Sequence, residues 1–187
     1  MFASWGAEEY GLIGSSEWVE EHLTLLQASS IAYVNCDVGI SGNWSFYPKG
    51  TPNMQQLVHE VAKLVDNPRR HFDGDEIDTI FKNMVLRLAD GDESKLEFIS
   101  VAANSDFAPF LQRVGTSAID IRWTFPPDVP HSYPVYHSVY ETMELVEDFV
   151  DPDFTIHRET AMICAICKFL IKIYPFDSYN IAHGTIL

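Results

Sequence analysis

Apolar and polar positions along this chain switch several times between a period of two and a period near three and a half. Phe2-Ala-Ser-Trp5 reads as a short buried strand, and the glycines and glutamates of residues 6–11 read as a turn. A helix follows, capped by Ser15 or Ser16. Glu17, Glu20 and Glu21 lie in its early turns, and Trp18, Val19, His22, Leu23, Leu25 and Leu26 supply its apolar face. Residues 31–35 are apolar and β-branched, a second strand that delivers Asp37 at its end. Strand, crossover helix and strand predict a parallel βαβ unit. Residues 39–50 form a loop rich in Gly and Ser. Thr51-Pro52 opens a helix with Leu57, Val58, Val61, Leu64 and Val65 as its buried stripe.

The second half is patterned less evenly. Asp73, Asp75, Glu76 and Asp78 mark a solvated acidic loop whose ligand spacing does not fit an EF-hand, and residues 77–88 are expected to be helical. Residues 96–101 and 117–123 read as strands, and 106–114 as a short helix that tolerates Pro109 near its first turn. Residues 124–136 hold four prolines and must be extended. Residues 138–149 and 155–174 read as helices, the second with Ile163, Ile166, Leu170 and Ile173 facing inward. Together these elements predict an α/β fold, doubly wound, with a mostly parallel sheet and helices on both faces. A strand directly after Met1 implies absent neighbours, so the fold is expected to be incomplete at its N-terminus and the chain to be an internal piece of a longer protein.

Composition narrows the function classes. A chain of 187 residues buries roughly 70% of the surface that its unfolded form exposes, enough for one core. Lys and Arg number 12 against 27 Asp and Glu, a formal charge of −15, which repels nucleic acid and anionic membrane. There is no run of 18 apolar residues and no signal-like start. Three cysteines make no disulfide framework. Cys36 stands alone, and the apolar context of Cys164 and Cys167 favours two small buried residues on one helix face over a redox or zinc motif. His22, His59, His71, His131, His157 and His183 read as surface or structural residues.

Four polar positions stand at strand ends or in adjoining loops: Glu8, Glu9, Asp37 and His137. In a doubly wound sheet the carboxyl ends of parallel strands face one crevice. Asp, Glu and His are zinc ligands. Adjacent glutamates in a tight turn project differently, so one can bind metal while the other acts as base.

The literal residues sharpen this. The run Phe2-Ala-Ser-Trp-Gly-Ala-Glu-Glu-Tyr-Gly-Leu-Ile-Gly-Ser-Ser-Glu-Trp18 resembles the glutamate carboxypeptidase II (N-acetylated alpha-linked acidic dipeptidase) branch of the co-catalytic zinc aminopeptidases, which also contains the transferrin receptors. The likeness continues through Tyr33-Val-Asn-Cys-Asp37, Asp106-Phe107, Gln112-Arg113-Val114-Gly115 and Tyr133-Pro-Val-Tyr-His-Ser-Val-Tyr-Glu-Thr142. It runs on through Leu145-Val-Glu-Asp-Phe149, Asp151-Pro-Asp-Phe154 and Pro175-Phe176-Asp177, and lapses between about residues 67 and 103.

The resemblance implies a peptide-hydrolysing metallo-exopeptidase with two zinc ions. Glu8 matches its general base, Glu9 and His137 ligands of one zinc, and Asp37 a ligand of the other. Glu17 and Glu20 match carboxylates of a calcium site. Tyr136, Arg122, Asn104 and Ser105 match substrate-binding positions. Residues 1–175 correspond to the C-terminal portion of the catalytic domain and 176–187 to the start of a helical dimerisation domain. The resemblance further implies a homodimeric parent, membrane-anchored with an extracellular or luminal catalytic domain, and Asn43-Trp44-Ser45 is a sequon that suits such a parent. The family's bridging Asp and one His ligand lie upstream of anything in this sequence, so the chain alone is expected to be inactive. Asp120 stands where acid-preferring members carry arginine, which disfavours acidic substrate side chains. The rival reading is a non-catalytic ectodomain of the transferrin-receptor type. Retention of Glu8, Glu9, Asp37 and His137 favours the enzyme lineage.

Overall fold

The computed structural model describes residues 1–69, 71–72, 75–126 and 135–173. Its elements in chain order are α1 (Ile13–Glu21), α2 (Leu23–Ser29), β1 (Ala32–Asn35), β2 (Ser45–Phe46), β3 (Lys49–Gly50), α3 (Gln55–Leu64), β4 (His71–Phe72), β5 (Asp75–Glu76), α4 (Ile80–Leu88), α5 (Phe107–Pro109), β6 (Ser117–Asp120), β7 (Trp123–Thr124), α6 (Met143–Leu145) and α7 (Thr155–Ile173). Short 3₁₀ turns precede α3 and follow α4, and wide π-helical turns extend α5 and α6.

β6 is the centre of the main sheet. β1 pairs with it in parallel, from Ala32 opposite Ser117 to Asn35 opposite Asp120, and β3 pairs antiparallel on its other side. The pleat sends alternate residues to opposite faces. Ala32, Val34 and Ile119 join one core with Leu57, Val58 and Val61 of α3, Ile80 and Met84 of α4, and Ile156 and Ile163 of α7. Tyr33 and Ala118 point the other way, toward Phe107 of α5, while Tyr33 also packs with Val19 and Leu26 of α1 and α2 and with Phe110. Helices therefore cover both faces, as expected. Among the described residues the parallel strand pairing is β1 with β6, joined by isolated parallel bridges at Ile40–Trp123 and Lys49–Ile99, and the sheets are small and mixed. β2 and β7 form a separate antiparallel ribbon, with Phe46 against Trp123, and β4 and β5 form another.

Several expectations are corrected. Residues 2–5 make no strand: Phe2 is 86% exposed with the Lys168 ammonium over its ring, and Trp5 lies tilted against Trp18 and Phe110 with its indole N–H donating to Tyr33 Oη at 2.8 Å. An apolar run becomes a strand only where a ladder partner accepts it, so the crossover unit is β1 to β6 and not residues 2–5 to β1. Ser15 lies inside α1 and does not cap it. It is buried, and its hydroxyl donates to Asp106 Oδ1 at 2.6 Å. The loop of residues 39–50 contains β2 and β3. Residues 96–101 contribute one isolated bridge, Ile99 to Lys49. The helix expected over 138–149 is reduced to α6 and its π-helical extension, because residues 136–140 form hydrogen-bonded turns. Leu64 and Ile173, expected inside, are exposed at the ends of α3 and α7. Most of the Pro-rich stretch (127–134), part of the acidic loop (73–74) and residues 174–187 lie outside the described residues. Among the described residues no helix is long and apolar enough to cross a membrane.

Two polar clusters set the positions of the elements that matter below. Asn35, buried at the end of β1, donates from Nδ2 to Ser105 Oγ at 3.0 Å and to Asp120 Oδ1 at 2.8 Å. Burial, above all, raises the Asp120 carboxyl above its ordinary value. At the start of α7, Asp151 is fully buried. Its carboxylate accepts from the backbone N–H of Ile156 (3.2 Å) and His157 (2.9 Å), meets the His157 Nδ1 at 2.7 Å, and lies 3.6 Å from Arg69 Nη2. These amides would otherwise be orphan donors of the first turn.

Asp151→Ala strips the cap and leaves Arg69 and His157 without their shared acceptor. It is expected to cost roughly 3 kcal/mol in urea unfolding, against about 1 kcal/mol for exposed Asp153→Ala. A carboxyl whose folded pKa lies above its unfolded value stabilises most at low pH and loses that contribution as pH climbs from the ordinary aspartate range through the raised value. Asp120→Asn keeps an oxygen acceptor for Asn35 and removes the charge. It is expected to flatten the fall in unfolding free energy across that window, and an unchanged pH slope would refute this role.

Candidate active site

Residues 6–12 form a tight turn before α1. Gly11 N and Leu12 N both donate to the Glu8 carbonyl, at 3.0 and 2.9 Å, Ile13 N donates to Ala7 O, and Gly14 N donates to Gly6 O. Ala7 (φ 59°) and Leu12 (φ 58°) are left-handed at both ends of this turn. Such conformations cost a β-carbon residue about 1–2 kcal/mol and are retained where surrounding structure holds them. Gly14 matters here: a β-carbon on it would lie 2.6 Å from the Gly6 carbonyl, so the close seating of the turn on α1 requires glycine. The result is a short, strained platform that presents Glu8 and Glu9 side by side.

Opposite it lies His137, also left-handed at φ 58°. Its ring stacks on Tyr136 (centroids 3.9 Å, 20° between planes), and its backbone N–H donates to Glu141 Oε2 at 3.0 Å. The His137 Nε2 lies 2.9 Å from Glu9 Oε1. Asp37 follows β1 and is exposed at the same place.

Glu8, Glu9, Asp37, Asn104, Tyr136 and His137 all line one open cavity of about 910 Å³. Glu141 lines it as well, and none of the described lining residues is Lys or Arg. The charge density shows in the titration of its members. The Glu8 carboxyl is raised by its burial first and then by Asp37, Glu9 and Asp106, with His137 acting in the opposite sense. The Tyr136 hydroxyl is raised by burial and then by Glu9, Asp37 and Glu8. A cavity walled by carboxylates with an imidazole among them attracts cations.

The remaining expected site residues are placed elsewhere. Ser105 is buried behind β1, accepting from Asn35. Arg122 directs Nε toward Ser41 Oγ at 3.4 Å and is not among the cavity's lining residues. Asp120, bound by Asn35, does not line the cavity either. Glu17 is exposed on α1, while Glu20 pairs with Arg113 Nη1 at 2.6 Å.

Glu141 and His157 are among the lining residues that the sequence reading did not assign to the site. Glu141 seats the backbone of His137. His157, read there as surface or structural, lines the cavity and is oriented by the buried Asp151. The aspartate of Asp151-Pro-Asp-Phe154, just ahead of a helix, is the one local signal that could have drawn attention to His157.

The donor set fits zinc in kind: an imidazole nitrogen and carboxylate oxygens, two of them already in contact at Glu9 and His137. Among the described residues, however, no three His, Cys, Asp or Glu side chains are gathered closely enough to enclose one ion.

The chain is 33% identical over 167 residues to the mouse (Mus musculus) protein "Aminopeptidase NAALADL1", covering 86% of this chain and 22% of that protein. It is 32% identical over 180 residues to "Probable glutamate carboxypeptidase LAMP1" of Arabidopsis thaliana, covering 95% and 24%. It is 34% identical over 160 residues to "Glutamate carboxypeptidase 2 homolog" of Caenorhabditis elegans, covering 84% and 20%. The chain thus spans between a fifth and a quarter of the length of these curated relatives. The profile of Peptidase family M28 matches residues 1–151, most of the chain and all of the acidic cavity wall from Glu8 to Glu141, and the chain belongs to that family.

Proposed function

We propose that this chain is the C-terminal portion, residues 1–175, of the catalytic domain of a metallopeptidase that hydrolyses peptide bonds with a dizinc centre. The observation that carries this reading is the Glu9–His137 contact in a carboxylate-walled cavity that also holds Glu8 and Asp37. Peptidases of family M28 are generally zinc-dependent, which supports the choice of metal.

In this reading Glu9 and His137 hold one zinc and Asp37 holds the other. Zinc, when bound, supplies Lewis acidity to the scissile carbonyl and acidifies water. Glu8 sits beside Glu9 on the strained turn but is half-buried, and its neighbours raise its carboxyl. Glu8 takes the proton of the attacking water and returns it to the leaving amine. Tyr136, stacked on His137, and Asn104 line the wall where the substrate lies. Three ligands shared between two ions fall short of the three per ion that catalytic zinc normally keeps, so the 187-residue chain alone is inactive. Glu17 and Glu20 serve a calcium site only if Arg113 releases Glu20. The parent, on the same resemblance, is a membrane-anchored homodimer with its catalytic domain outside the cytosol.

In a polypeptide extended to the length of its relatives, loaded with zinc and assayed on dipeptides, Glu8→Gln is expected to lower kcat by at least about 10²-fold while zinc content stays at the wild-type level. Turnover that survives this substitution would refute the assignment of Glu8.

A further inference from the structure

We propose that a small apolar pocket beside the acidic cavity is a subsite that takes one uncharged, apolar side chain of a bound peptide. As a statement about a substrate, this rests on the peptidase reading above. The pocket has a volume of about 150 Å³. Ile40 forms one side of it, in the chain that follows Asp37. Leu145, Val146 and Val150 form the other, on α6 and the π-helical turn that extends it. Ile40 and Glu141 line both this pocket and the acidic cavity, so the two share a wall. Glu141 also accepts the backbone N–H of His137 at 3.0 Å, which ties the shared wall to the imidazole of the site.

The pocket is built before any ligand arrives. Ile40 bridges in parallel to Trp123, and Ser41 N–H donates to the Trp123 carbonyl at 3.2 Å. The buried Ser41 hydroxyl donates to the same carbonyl at 2.7 Å and accepts from Arg122 Nε at 3.4 Å, so its polar capacity is met by the protein. On the opposite side Asp151 N–H donates to the Val146 carbonyl at 2.9 Å, which joins the π-helical turn to the capped start of α7. Leu145 N–H donates to Thr142 O at 3.1 Å.

Size and charge define the guest. An apolar cavity of roughly 150 Å³ accepts a benzene ring, so side chains from leucine to phenylalanine fit and an indole does not. An aspartyl or glutamyl side chain would leave water for a pocket with no Lys or Arg among its lining residues, and would meet Glu141 on the way in. A side chain seated there lies next to the wall that carries His137, and anchoring it fixes the neighbouring peptide group over the carboxylates of the cavity.

The test uses the parent protein at the full length of its relatives, loaded with zinc. Dipeptides carry alanine at one position and alanine, leucine, phenylalanine, tryptophan or aspartate at the other, in both orders. Expected at one of the two positions is a kcat/KM for leucine or phenylalanine at least about 10-fold above alanine and aspartate, because a single methylene in a hydrophobic pocket already discriminates by about 10- to 200-fold. Tryptophan should fall below phenylalanine. Val146→Phe should fill the pocket and bring the leucine-to-alanine ratio toward one, and Val146→Ala should move the optimum toward tryptophan. Equal rates for all side chains, a preference for aspartate, or a preference indifferent to both Val146 variants would overturn the proposal. A protein that turns over none of these dipeptides refutes the peptidase reading, and the pocket is then judged by methyl NMR of the same protein. Shifts of the Ile40, Leu145, Val146 and Val150 methyls with the leucine dipeptide and not with the aspartate dipeptide uphold it, and unshifted methyls overturn it.

Discussion

Everything at the cavity depends on how β1 ends. Asn35 is buried there, opposite Asp120 in a parallel register, and its amide holds Ser105 and Asp120 together. A buried amide with two good partners fixes one geometry, because leaving either partner unmet costs about 1–3 kcal/mol. Cys36 and Asp37 are the next residues along the chain. Their position follows from that tie. The backbone adds its own bond, with Ile121 N donating to Asn35 O at 3.0 Å.

Charge is the second constraint. Glu8, Glu9, Asp37 and Glu141 share one wall without a lysine or arginine among the described lining residues. Such an arrangement is unfavourable unless something positive enters, and the proton affinity of Glu8 is lifted by burial first and then by Asp37 and Glu9. The left-handed backbone at Ala7, Leu12 and His137 is concentrated in the same few residues. Strain and like-charge repulsion at one place, supported by a well-packed core elsewhere, are what a binding site for a cation is expected to show.

The elements read correctly from the sequence are those whose pattern is self-contained. β1, α3, α4 and α7 carry their own periodicity, and β6 lies within a run that alternates. Residues 2–5 and 96–101 failed as strands because a strand exists only through its neighbour, and pattern alone does not say who the neighbour is. The site divides in the same way. The resemblance singles out Glu8, Glu9, Asp37, Tyr136, His137 and Asn104, and all six line one cavity. Ser105 and Arg122 are engaged by Asn35 and Ser41 instead, contacts spanning 70 and 81 residues that no local pattern encodes. His157, read as a surface or structural residue, lines the cavity for the same reason. Its role depends on a buried carboxylate and on the packing of α7.

The central proposal is that the acidic cavity holds zinc through Glu9, His137 and Asp37, and calorimetric titration of zinc into a polypeptide extended to the length of its relatives tests it most directly. The account requires measurable zinc binding by the wild type, weakened by Glu9→Gln and by His137→Ala each by at least the roughly 10- to 100-fold that loss of even an outer-shell partner costs. Glu8→Gln should bind as the wild type does. Zinc affinity that is absent in the wild type, or indifferent to Glu9 and His137, would contradict it.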